Sequence, residues 1–484
     1  MMPWLGPKRS FLKNCCANGC RYHRRIKTKP TMPNPTILLL PVETKTREFL
    51  AKIFFAGHAA RRGFTALLGC ARFFHANTPR FPRGIVMEND ISVGSTTRLP
   101  ELRRLGFGVA AWDEEALVVK NDPYYVDERV RPEALYACHK FFTRGSGDLE
   151  AIATRYPLAR GHMTPAGNPR LDILEPQYRH LHRHTAIQSD RPILLVNSRF
   201  SHSNPFHMSP EAFRKALLAR SGLSGQALEF KIGYMDYTDK LYSFFKEMVA
   251  QLPARFPDHL VVIRPHPSEN PNVWNAIAEE HENCICSKKH TATEWSMAAV
   301  ATIHNGCTTA LEAALLGCRV LAYCPTTSGS YDVQLPNAIS EQYDNTFEMF
   351  AALEHMHIPS DVERDALSTA ARHRVAPQIA GLSGCTATDH ILDELESLRW
   401  TTPIAPRELL RAVRCLARYW RQESAVALRI RNNTNALQAI MTPYALEKFP
   451  GATMEEVRGI LDGFGMHDVL AEDMGNWWFR MVRA

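Results

Sequence analysis

The stretch Thr36-Ile37-Leu38-Leu39-Leu40-Pro41-Val42, followed by residues 45–62, sets the rhythm from which the fold is read. The first run is short and apolar throughout, so it reads as a strand buried on both faces. In the second, Phe49, Leu50, Ile53, Phe54 and Ala60 recur at helical spacing, which predicts an amphipathic helix. Residues 64–68, 84–87 and 108–112 then read as further strands with helical or irregular connections. Short apolar strands separated by helices predict a parallel sheet covered on both sides.

The same rhythm restarts after a break. Residues 175–191 are polar and rich in His and Arg, and read as a solvated linker; the alternative is a metal site built on His180, His182 and His184. Beyond it, residues 193–197, 260–264, 299–304 and 319–323 read as strands, with helices over 241–251, 274–280 and 308–316. The fold class is therefore α/β, with two Rossmann-like domains and a helical C-terminal extension. The expected division is a basic leader over 1–35, a first domain over 36–180, a second over 190–400 and a helical cap over 401–484. Two such sheets put a cleft between their carboxyl edges.

Composition narrows the function classes. The chain has 484 residues, 45% hydrophobic and 22% charged, which is an ordinary globular balance. Its net charge of +7 belongs to the leader, where eight Lys and Arg stand without an acidic residue; removing those eight leaves −1 for the rest. That distribution argues against nucleic acid as a partner. Residues 1–31 read as a basic tail or as a start assigned too early, since Met32 stands just before the first strand. The 12 cysteines are scattered, and Cys284 and Cys286 point the same way from one strand. No pair of CxxC motifs has zinc-site spacing, so the expectation is a reduced, cytoplasmic protein without a metal or cofactor. No apolar run approaches the roughly 20 residues that span a bilayer. In the last part, Arg411, Arg414, Arg418 and Arg421 share one helical face, either solvated or docked on an anionic membrane.

Two motifs carry chemistry. In Val261-Val262-Ile263-Arg264-Pro265-His266-Pro267 two prolines stop a strand and hold His266 at the sheet's carboxyl edge. In His304-Asn305-Gly306-Cys307-Thr308-Thr309-Ala310-Leu311-Glu312 a strand ends, Gly306 turns and a helix begins. The free amides and positive end of that helix form an anion site, with Thr308 and Thr309 adding hydroxyls and Glu312 placed for a ribose. Upstream, Gly167-Asn168-Pro169-Arg170 makes a turn whose Arg170 offers a fork to phosphate, and Asn168 with Arg199 is expected in the same cleft. Arg264 or Arg199 would neutralise a leaving phosphate. For the acid–base group the candidates are Glu115, then Asp113, in Trp112-Asp113-Glu114-Glu115, and Glu43 after the first strand.

His-Pro on one loop and a hydroxyl pair at the next helix start resemble bacterial sialyltransferases and Kdo transferases of GT-B architecture. That resemblance implies that His266 and Pro267 hold the cytidine part of a donor and that Thr308 and Thr309 hold its phosphate, where the sialyltransferase pattern has serines. The segments Leu39–Glu48, Gly167–Asp172, Val196–Phe200 and Lys448-Phe449-Pro450-Gly451 further resemble bacterial surface carbohydrate biosynthesis proteins. Together these imply a glycosyltransferase that moves a sugar from a CMP- or UDP-activated donor to a carbohydrate or lipid-linked acceptor. They also imply work without a divalent metal; the expected location is the cytoplasm, with docking at the inner face of the plasma membrane as the alternative that the arginine stripe offers. The alternatives are a CDP-dependent polyol-phosphate transferase, a UDP-sugar 2-epimerase and a non-catalytic assembly factor.

Overall fold

A computed structural model describes residues 36–117, 122–183, 187, 189–398 and 441–484. The first sheet contains β1 (Ile37–Val42), β2 (Thr65–Cys70), β3 (Ile85–Glu88), β4 (Gly108–Trp112), β5 (Lys140–Thr143) and β6 (Met163–Pro165). The second contains β7 (Ile193–Asn197), β8 (Leu260–Arg264), β9 (Cys284–Cys286), β10 (Ala299–His304), β11 (Val320–Tyr323) and β12 (Glu341–Tyr343). All pairings among these twelve strands are parallel. The order is β2-β1-β3-β4-β5-β6 in the first and β12-β11-β10-β7-β8-β9 in the second. In each sheet the chain leaves its first strand to one side and later returns on the other. The ends of β1 and β7 are thus switch points, where doubly wound sheets open a crevice. This is the α/β architecture of two Rossmann-like sheets that the alternation of strands and helices predicts.

Proline in an inner strand would normally break the ladder. Here β3 pairs with β1 only at Leu38 and Leu39, so Pro41 lies beyond that pairing. Its carbonyl accepts the ammonium of buried Lys52 instead.

Three expectations are corrected. The 175–191 linker is not simply solvated: Arg179 and His182 are buried. Arg179 Nε donates to Leu316 O at 2.9 Å, and the His182 ring lies 3.0 Å from Ile173 O and 3.1 Å from Thr293 Oγ1. Polar groups that find such partners bury readily, which composition does not reveal. Among the described residues no cluster of His, Cys, Asp and Glu is placed to hold a metal ion; His184 lies outside them. Second, helix Ala387–Ser397, expected in the second domain, packs on the first sheet's side through Ile391, Leu392 and Leu395. Its first turn donates Ala387 N and Thr388 N to buried Asp172 at 3.1 and 2.8 Å.

Third, the C-terminal segment is not only helical. Helices Pro443–Lys448 and Met454–Gly463 lead into an antiparallel hairpin, β13 (Val469–Asp473) and β14 (Trp478–Arg483). β14 pairs antiparallel with β2 and extends the first sheet to eight strands. The hairpin is seated by Gly69, where a Cβ would collide with the Trp477 carbonyl and the Trp478 ring. Gly69→Val should therefore cost about 1–3 kcal/mol, read as a lower thermal midpoint with a red-shifted tryptophan emission as Trp478 is uncovered. The arginine stripe over 407–421 lies outside the described residues. No described helix is long and apolar enough to cross a membrane.

Candidate active site

The second sheet supplies one wall of the crevice. Because β7 lies between β10 and β8, its end brings Arg199 between the two motifs. Arg199 clasps Asn305 with two bonds, Nη2 to Oδ1 at 2.8 Å and Nε to the carbonyl, and gives Nη1 to Tyr234 Oη at 3.1 Å. Asn305 is anchored to Tyr323 O at 2.8 Å. Gly306 has φ +59°, and a Cβ there would sit 2.9 Å from Val333 Cβ and 3.0 Å from Arg199 Nε. Only glycine turns this tightly against the arginine.

Helix Thr308–Leu315 then starts at the crevice, with no acidic residue in its first turn to offset its positive end. Thr309 Oγ1 accepts from Asn197 Nδ2 at 3.0 Å. Nearby, Arg264 donates Nη2 to His290 O at 2.6 Å, while its buried Nε has no hydrogen-bond partner. Burial pulls the Arg264 guanidinium below its ordinary value, offset by Cys307, Glu294 and Glu312. A half-buried cation whose buried Nε donor is unmet is what a bound anion would satisfy.

His266 and Pro267 are solvent-exposed at the crevice. Ser268 N donates to His266 Nδ1 at 3.2 Å, which places the ring proton on Nε2. Although His266 is open to solvent on one side, the protein packed around its ring disfavours the charged form and lowers its pKa, with Glu115 opposing and Arg47, Lys288 and Lys448 adding to the shift. The loop is organised by Glu269, which is fully buried. Glu269 accepts from Ser198 Oγ at 2.8 Å, Trp274 Nε1 at 3.0 Å and His266 N at 3.3 Å. Burial pushes its carboxyl up, and these bonds pull it back. Sequence reasoning missed Glu269; its position three residues after His266 was the available signal.

The opposite wall is built on helix Lys45–Arg61. Fully buried Glu48 accepts from Glu43 N, Thr44 N and Asn89 Nδ2 at 3.0, 3.2 and 2.9 Å, and pairs with Arg47 and Lys52. Arg47 also pairs with Glu115, the exposed carboxylate at the end of β4. The protein around Glu115 shields part of it from water and so opposes its charge, but Arg47, Arg129 and Arg170 outweigh this and leave its pKa below the ordinary carboxylate range. The two walls meet through Arg170, which donates Nη1 to Glu114 O at 3.4 Å and pairs with Glu312 on the Thr308 helix.

Several expected roles change. Asp113 is buried and held by Arg129 through Nε and Nη2, both at 2.7 Å, and it accepts Glu115 N at 2.9 Å. A carboxylate spent in this way shapes the loop rather than receiving a substrate proton. Glu43 is paired with Lys448 at 2.6 Å. Asn168 caps the helix Pro169–Asp172 by accepting Arg170 N at 2.9 Å. Buried Arg170, expected to meet phosphate, is paired with Glu312, expected to meet ribose. Opposite charges brought together away from water satisfy each other first, so this pair ties the two sheets together.

No protein-family model matches the chain, and no curated protein sequence matches it. Solved structures with a similar chain trace include a UDP-GlcNAc 2-epimerase from Neisseria meningitidis bound to UDP-GlcNAc. It is 12% identical, covers 75% of this chain and 100% of its own, and has a TM-score of 0.44. The wall teichoic acid polymerase TagF is 10% identical, covers 75% of this chain and 88% of its own, and has a TM-score of 0.45. Likeness at this level concerns the course of the chain, not its chemistry.

Proposed function

We propose that the protein is an enzyme that transfers a sugar from a nucleotide-activated donor to a carbohydrate or lipid-linked acceptor of a bacterial surface polymer. The observation that supports this reading is the meeting, in one crevice, of an anion site and a paired carboxylate. The anion site is the Thr308 helix start with Arg264; the carboxylate is Glu115, held by Arg47.

In this mechanism the donor phosphates lie at the helix start. Arg47 moves from Glu115 to the departing phosphate, which frees the carboxylate. The acceptor oxygen attacks the anomeric carbon, and its proton passes to Glu115. The bond from that carbon to the phosphate oxygen breaks, and the electron pair leaves with the nucleotide, stabilised by Arg47 and Arg264. Neutral His266 donates its Nε2 proton to the bound donor as an orienting hydrogen bond. Cytidine donors are preferred on the sequence resemblance alone, with uridine donors next.

A second reading rests on Glu115 and His266 standing on opposite walls. An epimerase must remove a proton from one face of a sugar and return it to the other, and two such groups could share that task. Incubation with UDP-GlcNAc in deuterated water and no acceptor separates the readings. Deuterium at carbon 2 favours epimerisation, and its absence favours transfer.

The reading is tested by a thermal-shift screen against CMP, CDP, UDP, GDP and ADP, beside His266→Ala. The expected result is a midpoint that rises with nucleotide concentration in the wild type, by mass action, and rises less in the variant. If none of the five moves the wild-type midpoint, the nucleotide reading fails.

A further inference from the structure

We infer that the helix Pro443–Lys448 is a latch: carried on one wall of the crevice, it rests on the other, and the crevice opens when that rest is broken. As a gate for nucleotide it builds on the reading of the site given above; as a contact it does not. Glu43 follows β1 and Lys288 follows β9, so each stands at the carboxyl edge of its own sheet. The helix touches both. Lys448 pairs with Glu43 at 2.6 Å, and Glu447 pairs with Lys288 at 3.4 Å. Tyr444 also reaches the second-sheet wall, meeting His207 edge-on with centroids 6.3 Å apart. His207 follows Phe206, whose N–H donates to Ser268 O at 3.1 Å, so this contact lies beside the loop that carries His266.

The two attachments differ in kind. On the side of helix Lys45–Arg61, Phe449 is buried and meets Phe49 edge-on, with centroids 6.1 Å apart. Just beyond it, Lys45 Nζ donates to Gly451 O at 2.6 Å and pairs with Glu456 at 2.7 Å. On the second-sheet side the side chains of Lys288 and Glu447 are 35% and 45% exposed, and Tyr444 is 46% exposed. Exposed ion pairs hold weakly and are screened by salt. The helix therefore stays with the first-sheet wall when the two walls part.

Elsewhere the walls are joined by buried charges. Arg170 pairs with Glu312, and Lys231 of helix Gly225–Arg255 pairs with Glu128 of helix Asp122–Arg129. Both cations are buried. Parting such a pair strands a charge away from water, which costs far more than parting an exposed one. The latch is the weakest of these joins, so the walls part there first.

The test reads opening without any nucleotide. Cys307, just before the Thr308 helix, is a buried free thiol, and Cys385 is an exposed one. Alkylation by iodoacetamide, followed at each cysteine by mass spectrometry, reports how often the crevice admits a small reagent. Glu447→Lys sets two like charges together and should label Cys307 about five-fold faster, the effect of losing one exposed ion pair. Cys385 should be unchanged. Lys288→Glu with Glu447→Lys restores the pair and should restore the wild-type rate, with circular dichroism confirming that both variants fold. An unchanged Cys307 rate in Glu447→Lys overturns the latch, and so does a double variant that stays fast. Stopped-flow binding of CDP and UDP tests the gate. Glu447→Lys should speed association and dissociation by the same factor, about five, and leave Kd unaltered. A changed Kd with an unchanged association rate makes Glu447 a ligand contact and overturns the gate. If the wild type binds neither nucleotide, the nucleotide reading fails and the gate with it, while the Cys307 rates still decide the latch.

Discussion

Glu48→Ala should destabilise the protein by about 3–5 kcal/mol, the range for breaking a buried ion pair from one side. Glu48 and Lys52 have side chains 0% and 1% exposed. Without the carboxylate, Lys52 would keep Pro41 O and Asn89 Oδ1 as acceptors but have no anion beside it. Glu43 N and Thr44 N would lose their partner as well. The check is the midpoint of chemical denaturation, where a loss below about 1 kcal/mol would refute the account. Adding Lys52→Met should recover part of the loss, because the stranded charge goes with it.

The pH dependence has a definite sign. Burial opposes ionisation of Glu48, but Lys52 and Arg47, with the Glu43 amide, draw its pKa from 4.5 down to about 2. A depressed carboxylate contributes stability above its unfolded pKa and loses it as the pH falls through the folded one. Wild-type stability should therefore fall between about pH 5 and pH 2, and Glu48→Gln should flatten that part of the profile.

Glu115→Gln should lower turnover by about 10²–10⁴, the usual contribution of a general base. Its side chain is 47% exposed, so stability should change by less than about 0.5 kcal/mol. Asp113→Asn should do the reverse. It strips a bidentate partner from Arg129 and so unsettles the loop, while its effect on turnover follows from misplacing Glu115. Because Arg47 and its neighbours hold Glu115 below the ordinary carboxylate range, the acid limb of activity in the wild type should lie below that range too. It should move upward in Arg47→Met. Full turnover in Glu115→Gln would remove the carboxylate from the chemistry and bring forward a non-catalytic role.

The strand–helix alternation was legible because its signal is local. A run such as Thr36–Val42 must be buried on both faces wherever it lies, and Phe49, Ile53 and Phe54 mark one side of any helix they form. β1 and the helix after it accordingly occupy 37–42 and 45–61, within a residue or so of the expected bounds. The His266 and Gly306 turns were legible for the same reason, since proline and glycine limit the backbone on the spot.

What only the tertiary structure decided is the pairing of charges and the choice of neighbours. Three adjacent acids, Asp113, Glu114 and Glu115, are alike in sequence, yet Arg129 takes the first and Trp112 binds the second. Arg47 meets the third, which is left exposed at the crevice. Arg170 and Glu312 each looked available for substrate, and 142 positions of chain separate them before folding joins them. The closing hairpin falls in a segment expected to be helical, and it forms because β2 offers an unpaired edge 408 residues earlier in the chain. The sequence by itself determined which backbone shapes could form and where the crevice would open. Folding alone decided which charges were left free to act in it, because electrostatic and edge-to-edge contacts depend on distance in space and leave no periodic trace along the chain.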